Sequence, residues 1–501
     1  MKIPILRLLL RGISLAMLLA ALLLGALELQ SYRAQRPVYP SGSRIAGVPV
    51  GGLDREAARK RIEQAYSAPV ELRYDGARIL LKPDEAGFSL DIEAMLAEAG
   101  SDPGDPPFWQ RFWDYLQGRP PAPVQVPLKA SNSSEKIKAY LEKEIKPRYD
   151  RPASPPLPYP GTVNYRTGKE GRSLDVASAI PLIKEALISR SKGSVDLPIR
   201  AIPPPGPSFQ NLEVLLKQTL KLSGFSGLAG LYLEDLQTGK TIDLAYQQGK
   251  FIPAEPGVPF AGASTIKIPI MVSVYRRLNS KPDPETERLL GLMIEESGNE
   301  AADWVMERVI DPNLAPLLVT DDMQRLGLQN TFLAGFFHQG SPLLELYQTP
   351  ANTRPGLIAD PDVYNQTTPK EIGSLLGDIY TCSETGSGHL VETFPGEITQ
   401  EECQAMLKHL AGNKTPYLVE AGVPEEVNVV HKHGWVSLFG VIHTIGDDAL
   451  VRSPVGDYVL AVYLYSPDTL LWEPASRDIA TLSRAVYNFY EMKHEAGGTR
   501  P

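Results

Sequence analysis

Ser264-Thr265-Ile266-Lys267 opens an apolar run, Ile266 to Leu278, whose length and composition predict a buried helix. Side chains three positions apart share a helix face, with Cβ atoms about 5–6 Å apart. That spacing sets the Lys267 amine beside the Ser264 hydroxyl. An alcohol is a weak nucleophile until a base within hydrogen-bond reach takes its proton. Ser264 and Lys267 are therefore a candidate nucleophile and base. A Ser-x-x-Lys pair alone is unspecific, because any soluble helix can carry one. Pro269 has no N–H and falls inside the expected helix, so a disturbed turn is expected there.

Two distant segments add specificity. The first is Ser297-Gly298-Asn299; the second is Lys432-His433-Gly434, just before a strand-like stretch from Trp435 to Ile442. Read singly, Ser297 and Asn299 are helix-cap residues and Lys432 is a solvated lysine at a strand start. In this order, the three segments resemble the Ser-x-x-Lys, Ser-Asp-Asn and Lys-Thr-Gly set of class A β-lactamases and penicillin-binding proteins. The flanks are similar to that family too: Gly227 to Leu244 as strand, turn and strand, Phe260 to Lys267 leading into the nucleophile helix, Arg325 to Thr331, Thr367 to Ile372, and Tyr458 to Tyr463 as the last core strand. The resemblance covers residues 207–494.

The resemblance implies roles. Ser264 attacks an acyl carbonyl, Lys267 is base or proton relay, and Ser297 passes a proton to the leaving nitrogen. Asn299, Lys432, His433 and Gly434 bind substrate. The backbone N–H groups of Ser264 and Trp435 form the oxyanion hole, a device typically contributing about 10²–10³ in rate per donor. Lys267 must be neutral to accept a proton, so burial or a neighbouring cation such as Lys432 is expected to depress its pKa. No metal or organic cofactor is implied, since acyl transfer uses side chains alone.

The pattern also departs from the family. Gly298 stands where an aspartate is usual, which puts the rigidity of that loop in question. His433 replaces a hydroxyl residue. The interval between Ser264 and Ser297 is short. A class A β-lactamase needs a glutamate before its Thr-Thr-Pro landmark to activate water; residues 349–366 hold Asp360 and Asp362 but no glutamate, and Glu345 lies earlier. The resemblance therefore points to an extracytoplasmic serine acyl-hydrolase acting on peptidoglycan-type peptides or related amides, β-lactams included. A genuine β-lactamase and a catalytically silent wall-binding protein are the alternatives.

Composition bounds the remainder. The chain has 501 residues, 43% hydrophobic, with net charge −9, so neither a nucleic-acid partner nor a polybasic membrane patch is suggested. Lys2, Arg7 and Arg11 flank an apolar stretch from Gly12 to Leu27. Residues 1–30 are read as an uncleaved membrane anchor, with a cleaved export signal as the alternative. Either places the remaining chain outside the cytoplasm. Cys382 and Cys403 are the only cysteines. Export would permit a disulfide between them, and two free buried thiols fit the sequence equally well.

The expected organisation is α+β throughout: the anchor, an α+β region at 41–201, and the hydrolase-like domain at 207–494 with an antiparallel sheet flanked by helices. Asp54 is expected to cap a helix through Tyr66, and Val70–Tyr74 with Ile79–Lys82 to form a hairpin around Asp75-Gly76. Residues 47–53 resemble a peptidoglycan-binding domain family of exported proteins, which implies a wall-binding role; a rigid spacer is the alternative. Phe108, Trp109, Phe112 and Trp113 fall at helical spacing and are expected to pack as an ordinary apolar face, a lipid-dipping helix being the other reading.

Overall fold

The computed structural model describes residues 3–34, 38–100, 107–189, 193–278, 281–413, 417–438 and 440–496. The chain divides into two compact units, Met1–Ala153 with Glu170–Ile202, and Ser154–Lys169 with Pro203–Pro501. The region expected at 41–201 is thus interrupted. Ser154–Lys169 belongs to the second unit, where Tyr165 shares an apolar cluster with Leu212 and Phe489.

The first unit opens with helix α1 (Ile3–Ala34), of which Leu8–Ala34 is long and apolar enough to cross a membrane and is not buried. Helix α2 (Arg55–Tyr66) starts where Asp54 accepts the Ala57 N–H at 2.8 Å, and it buries Ala58, Ile62 and Tyr66. Strands β1 (Val70–Tyr74) and β2 (Ala77–Leu81) form the expected hairpin. Asp75 and Gly76 both take positive φ, as a tight two-residue hairpin turn demands. Helix α3 (Phe108–Leu116) does not bury its whole apolar face. Phe112 is buried, but Trp109 is 65% and Trp113 60% exposed. Helix α4 (Val176–Ile188) packs through Ala179, Ile183 and Leu187 into a core containing Ile45, Ile62 and Leu72.

The second unit is built on six antiparallel strands: β3 (Leu228–Asp235), β4 (Lys240–Gln247), β5 (Lys250–Ile252), β6 (Asn428–Leu438), β7 (Val441–Arg452) and β8 (Tyr458–Leu470). Their spatial order is β5-β4-β3-β8-β7-β6, so the two ends of the domain meet at β3 and β8, with Leu231 opposite Val462. Side chains alternate faces along a strand. Ala229, Leu231, Leu460 and Val462 pack into one apolar cluster; Leu228, Tyr232, Ala461 and Tyr463 pack into the other. Both faces are covered, which is why these strands read as unbroken apolar runs.

Helices cover both faces of this sheet. They are α5 (Phe209–Ser223), α6 (Lys267–Arg277), α7 (Pro284–Ile294), α8 (Asn299–Val309), α9 (Pro369–Thr385) and α10 (Gln400–Ala411). A final helix, α11 (Trp472–Ala496), shares one face of the sheet with α5, while α6 to α10 lie on the other. Cys382 on α9 and Cys403 on α10 form a disulfide with Cα atoms 5.9 Å apart, which resolves the two readings of that pair.

Candidate active site

Ser264 sits in a short 3-10 turn, Ala263–Ile266, that runs directly into α6 at Lys267. In a 3-10 turn residues i and i+3 eclipse, so serine and lysine lie one above the other. The Lys267 Nζ is 3.0 Å from Ser264 Oγ. Pro269 is the third residue of α6, inside the first turn where N–H groups have no intrahelical partner, so its missing donor breaks nothing. Ala263 holds φ at +48°, a left-handed conformation unusual for a residue with a Cβ, immediately before Ser264. Ser264 is half-buried.

The loop between α7 and α8 supplies the next groups. Lys267 Nζ donates to the Ser297 carbonyl at 2.7 Å and to Asn299 Oδ1 at 2.8 Å, and lies 3.4 Å from Ser297 Oγ. Ser297 also has positive φ, +60°. Neither Ser297 nor Asn299 caps a helix: the N-cap of α8 is Gly298, with no side-chain hydrogen bond, and Asn299 spends its oxygen on Lys267. The loop support expected of an aspartate at 298 is thus provided by the lysine amine, which ties both sides of Gly298.

Lys432, on edge strand β6, completes the group. Its Nζ donates to Ser297 Oγ at 3.0 Å and to the His433 carbonyl at 3.1 Å. Gly434 follows on the same strand face. A Cβ there would lie 2.7 Å from the Ser264 backbone N and 3.1 Å from that of Thr265, so glycine is what lets β6 approach the turn that carries Ser264. That close approach is made to the protein's own backbone, a constraint separate from the substrate pairing expected of Gly434.

The electrostatics suit a proton relay. Burial, then the neighbouring Lys432 charge, lower the Lys267 pKa to about 7, with Asp303 pulling the other way. Burial also lowers Lys432, to about 8, against the opposing pull of Asp447 and Asp448. The Phe337 ring stands 5.3 Å from Lys267 Nζ and walls one side. It is positioned by Asp303, whose carboxylate accepts the Phe337 and His338 N–H groups at 2.8 Å each. Sequence reading did not single out Phe337 or Asp303, because nothing local links a helix carboxylate to a loop far along the chain.

The structure does not bring the His433 ring into this group. Alternation along β6 sends Lys432 and Gly434 to one face and His431, His433 and Trp435 to the other. The His433 ring stacks on Trp435 with centroids 5.6 Å apart, and its Nδ1 lies 3.1 Å from Asn413 Nδ2. Burial lowers its pKa to about 4, which keeps it neutral. Its neighbour His431 pairs with the buried Asp447 at 2.9 Å. Donor atoms of His431, His433 and Asp447 all lie within 4.8 Å of one another, a set that could hold a metal ion. The His431–Asp447 ion pair already accounts for two of them.

The segment before the Thr-Thr-Pro landmark reaches the Ser264 turn: Phe260 pairs with Thr367, Ala261 with Gln366, and the Gly262 N–H meets the Asn365 carbonyl at 3.4 Å. Within it, Asp362 accepts from the Tyr364 N–H at 2.9 Å and from Asn365 Nδ2 at 3.1 Å, and burial raises its pKa.

No curated protein matches the chain. Among solved structures, PBP-A is 21% identical, covering 58% of this chain and 99% of its own, with a TM-score of 0.41. An ancestral class A β-lactamase is 21% identical over 55% of this chain and 98% of its own, at a TM-score of 0.38. A β-lactamase from Sphaerobacter thermophilus DSM 20745 is 20% identical over 57% and 98%, also at 0.38. Residues 282–490 match the family model described as "Beta-lactamase enzyme family". The matched range contains Ser297, Asn299 and Lys432, while Ser264 and Lys267 precede it and join them through the fold. Residues 282–490 of this chain are therefore similar to the β-lactamase enzyme family.

Proposed function

We propose that this domain is an extracytoplasmic serine acyl-hydrolase whose Ser264 forms an acyl-enzyme with amides of the peptidoglycan-peptide or β-lactam type. The observation that carries the reading is one buried amine, Lys267 Nζ, within hydrogen-bond reach of the hydroxyls of Ser264 and Ser297 at 3.0 and 3.4 Å, with a second amine, Lys432 Nζ, at 3.0 Å from Ser297. Neutral Lys267 takes the Ser264 proton as Oγ bonds to the acyl carbon. The oxyanion is received by the N–H groups of Ser264 and Trp435. Collapse breaks the C–N bond, and the leaving nitrogen takes a proton from Ser297 Oγ, which is resupplied by the adjoining ammonium group. Asn299 orients the Lys267 amine, and Lys432 supplies positive charge for a substrate carboxylate.

Hydrolysis of the ester needs an activated water. Asp362, a half-buried carboxylate of the segment beside Ser264, already accepts two hydrogen bonds, and no glutamate occurs in residues 349–366. Slow release of a β-lactam acyl group follows, which favours a cell-wall peptidase over antibiotic hydrolysis. The apolar α1 supports attachment to a membrane, and the first unit serves as a wall-binding module or spacer.

The test is intact-mass spectrometry of the full chain with benzylpenicillin. The expected result is one covalent adduct on Ser264 that persists for many minutes and is absent from Ser264→Ala. Rapid loss of the adduct with product accumulation would instead make the protein a β-lactamase. No adduct with any β-lactam or acyl-peptide ester would leave a silent, fold-retaining binder.

A further inference from the structure

Helix α3 presents two apolar seams side by side, and among the described residues only one is covered. At about 100° per residue, Tyr115, Phe108 and Phe112 form one seam, and Leu116, Trp109 and Trp113 form the adjoining one. Gln110, Asp114 and Gln117 take the opposite side. The first seam surrounds Tyr32 of α1, with ring centroids 5.8, 5.5 and 5.1 Å from Phe108, Phe112 and Tyr115. Arg33 sits 5.6 Å over the Phe108 ring, and the Tyr115 hydroxyl reaches Glu28 at 3.3 Å. The second seam is open: Trp109 is 65%, Trp113 60% and Leu116 42% exposed.

What lies against the open seam is set by α1. A bilayer's hydrocarbon core is about 30 Å thick and takes about 20 helical residues. Leu8 to Leu27 fills that length, with Arg11 near its first end where a long cationic side chain can snorkel to the headgroups, and Glu28 is the first acidic residue beyond it. At 1.5 Å per residue, Tyr32 stands about 7–8 Å past Leu27. The headgroup layer on each side is about 5–8 Å deep. The contacts of α3 run from Glu28 to Arg33, so the helix lies within that layer. Tryptophan favours this zone, because its ring is apolar and its indole N–H still meets water.

We propose that α3 is an interfacial helix: Trp109, Trp113 and Leu116 insert among lipid headgroups and upper acyl chains beside α1. The inference rests on the reading of α1 as a membrane anchor. It gives the first unit two points of attachment, a crossing helix and a surface helix, so the unit cannot swivel freely about α1.

The test uses the full chain reconstituted in phosphatidylcholine–phosphatidylglycerol vesicles, with lipids brominated near the headgroup end of the acyl chain as contact quenchers. The chain has five tryptophans; comparing wild type with the double variant Trp109→Phe, Trp113→Phe isolates two of them. The expected result is flotation of both proteins with the vesicles, a blue-shifted and bromolipid-quenched component in wild type, and loss of that component in the double variant. Flotation without a quenchable component assigned to residues 109 and 113 overturns the interfacial helix and leaves the anchor standing. If that result comes with cross-linking from residue 109 to another copy, the seam is a protein interface instead. Failure of the wild type to float overturns the anchor reading, and the interfacial helix with it.

Discussion

Thr265 Oγ1 lies 2.7 Å from the hydroxyl of Tyr463, a pair 198 residues apart in sequence and both buried. Thr265 Oγ1 also lies 2.7 Å from the Gly262 carbonyl oxygen, and the Tyr463 hydroxyl lies 2.7 Å from Asp448 Oδ2. The chain of hydroxyls pins the turn carrying Ser264 to the two central strands β7 and β8. Replacing Thr265 by Val should leave Tyr463 short of a partner in a buried site. The expected cost is about 1–3 kcal/mol in urea unfolding, together with slower acylation. Unchanged stability and an unchanged rate would show that the turn holds without this link.

The acylation rate should rise with pH through about 7, because Lys267 acts only when neutral and its pKa lies there. Lys267→Ala should lower the rate by about 10²–10⁴. Lys432→Met removes a charge that holds the Lys267 pKa down, so its rate profile should move to higher pH. A profile flat between pH 6 and 9, measured as about that span by stopped-flow acylation, would remove Lys267 from the role of base.

Gly434→Ala puts a methyl group 2.7 Å from the Ser264 backbone N. The strand or the turn must shift, at about 1–3 kcal/mol for such overpacking. Acylation should fall steeply while the circular dichroism spectrum stays native. A variant that acylates like wild type would show that β6 can withdraw without cost.

The buried His431–Asp447 pair makes stability depend on pH. Burial lowers the His431 pKa, but Asp447 and then Glu420 more than reverse this, raising it from 6.5 to about 9. A raised folded pKa means stability that is fully present below pH 6.5 and lost as pH climbs through about 9. The stability gap between wild type and His431→Gln should therefore narrow over that interval, as read by denaturant unfolding at each pH. A gap that widens with pH would reverse the assignment.

Removing the Cys382–Cys403 bridge, by reduction or by a double Ser variant, should cost about 3 kcal/mol, seen as a lower Tm. The bridge joins α9 to α10, and Lys267 and Ser264 belong to neither helix. The acylation rate below the transition should therefore be unchanged. Loss of acylation without loss of stability would mean that the bridge shapes the site directly.

Much of the site was legible in the order Ser264-x-x-Lys267, Ser297-x-Asn299, Lys432-x-Gly434, because each motif is short and its internal geometry is local. The position of His433 was legible in principle as well: strand alternation alone separates it from Lys432, and reading the motif as a contiguous triplet obscured this. The α3 tryptophans were harder, since periodicity shows that a helix is apolar on one side but not what covers that side.

Sequence by itself determined the elements whose causes lie within a few residues: the Asp54 cap, the Asp75-Gly76 hairpin, and the shared face of Ser264 and Lys267. Only the tertiary structure decided that one lysine ties Ser297 and Asn299 together, that Gly434 is a point of backbone contact, that Thr265 hangs from Tyr463, and that the two cysteines meet. Short-range backbone geometry dictates the first group. The second depends on the register of β6, β7 and β8 and on how the helices close over them, and those are set by burial summed over the whole core.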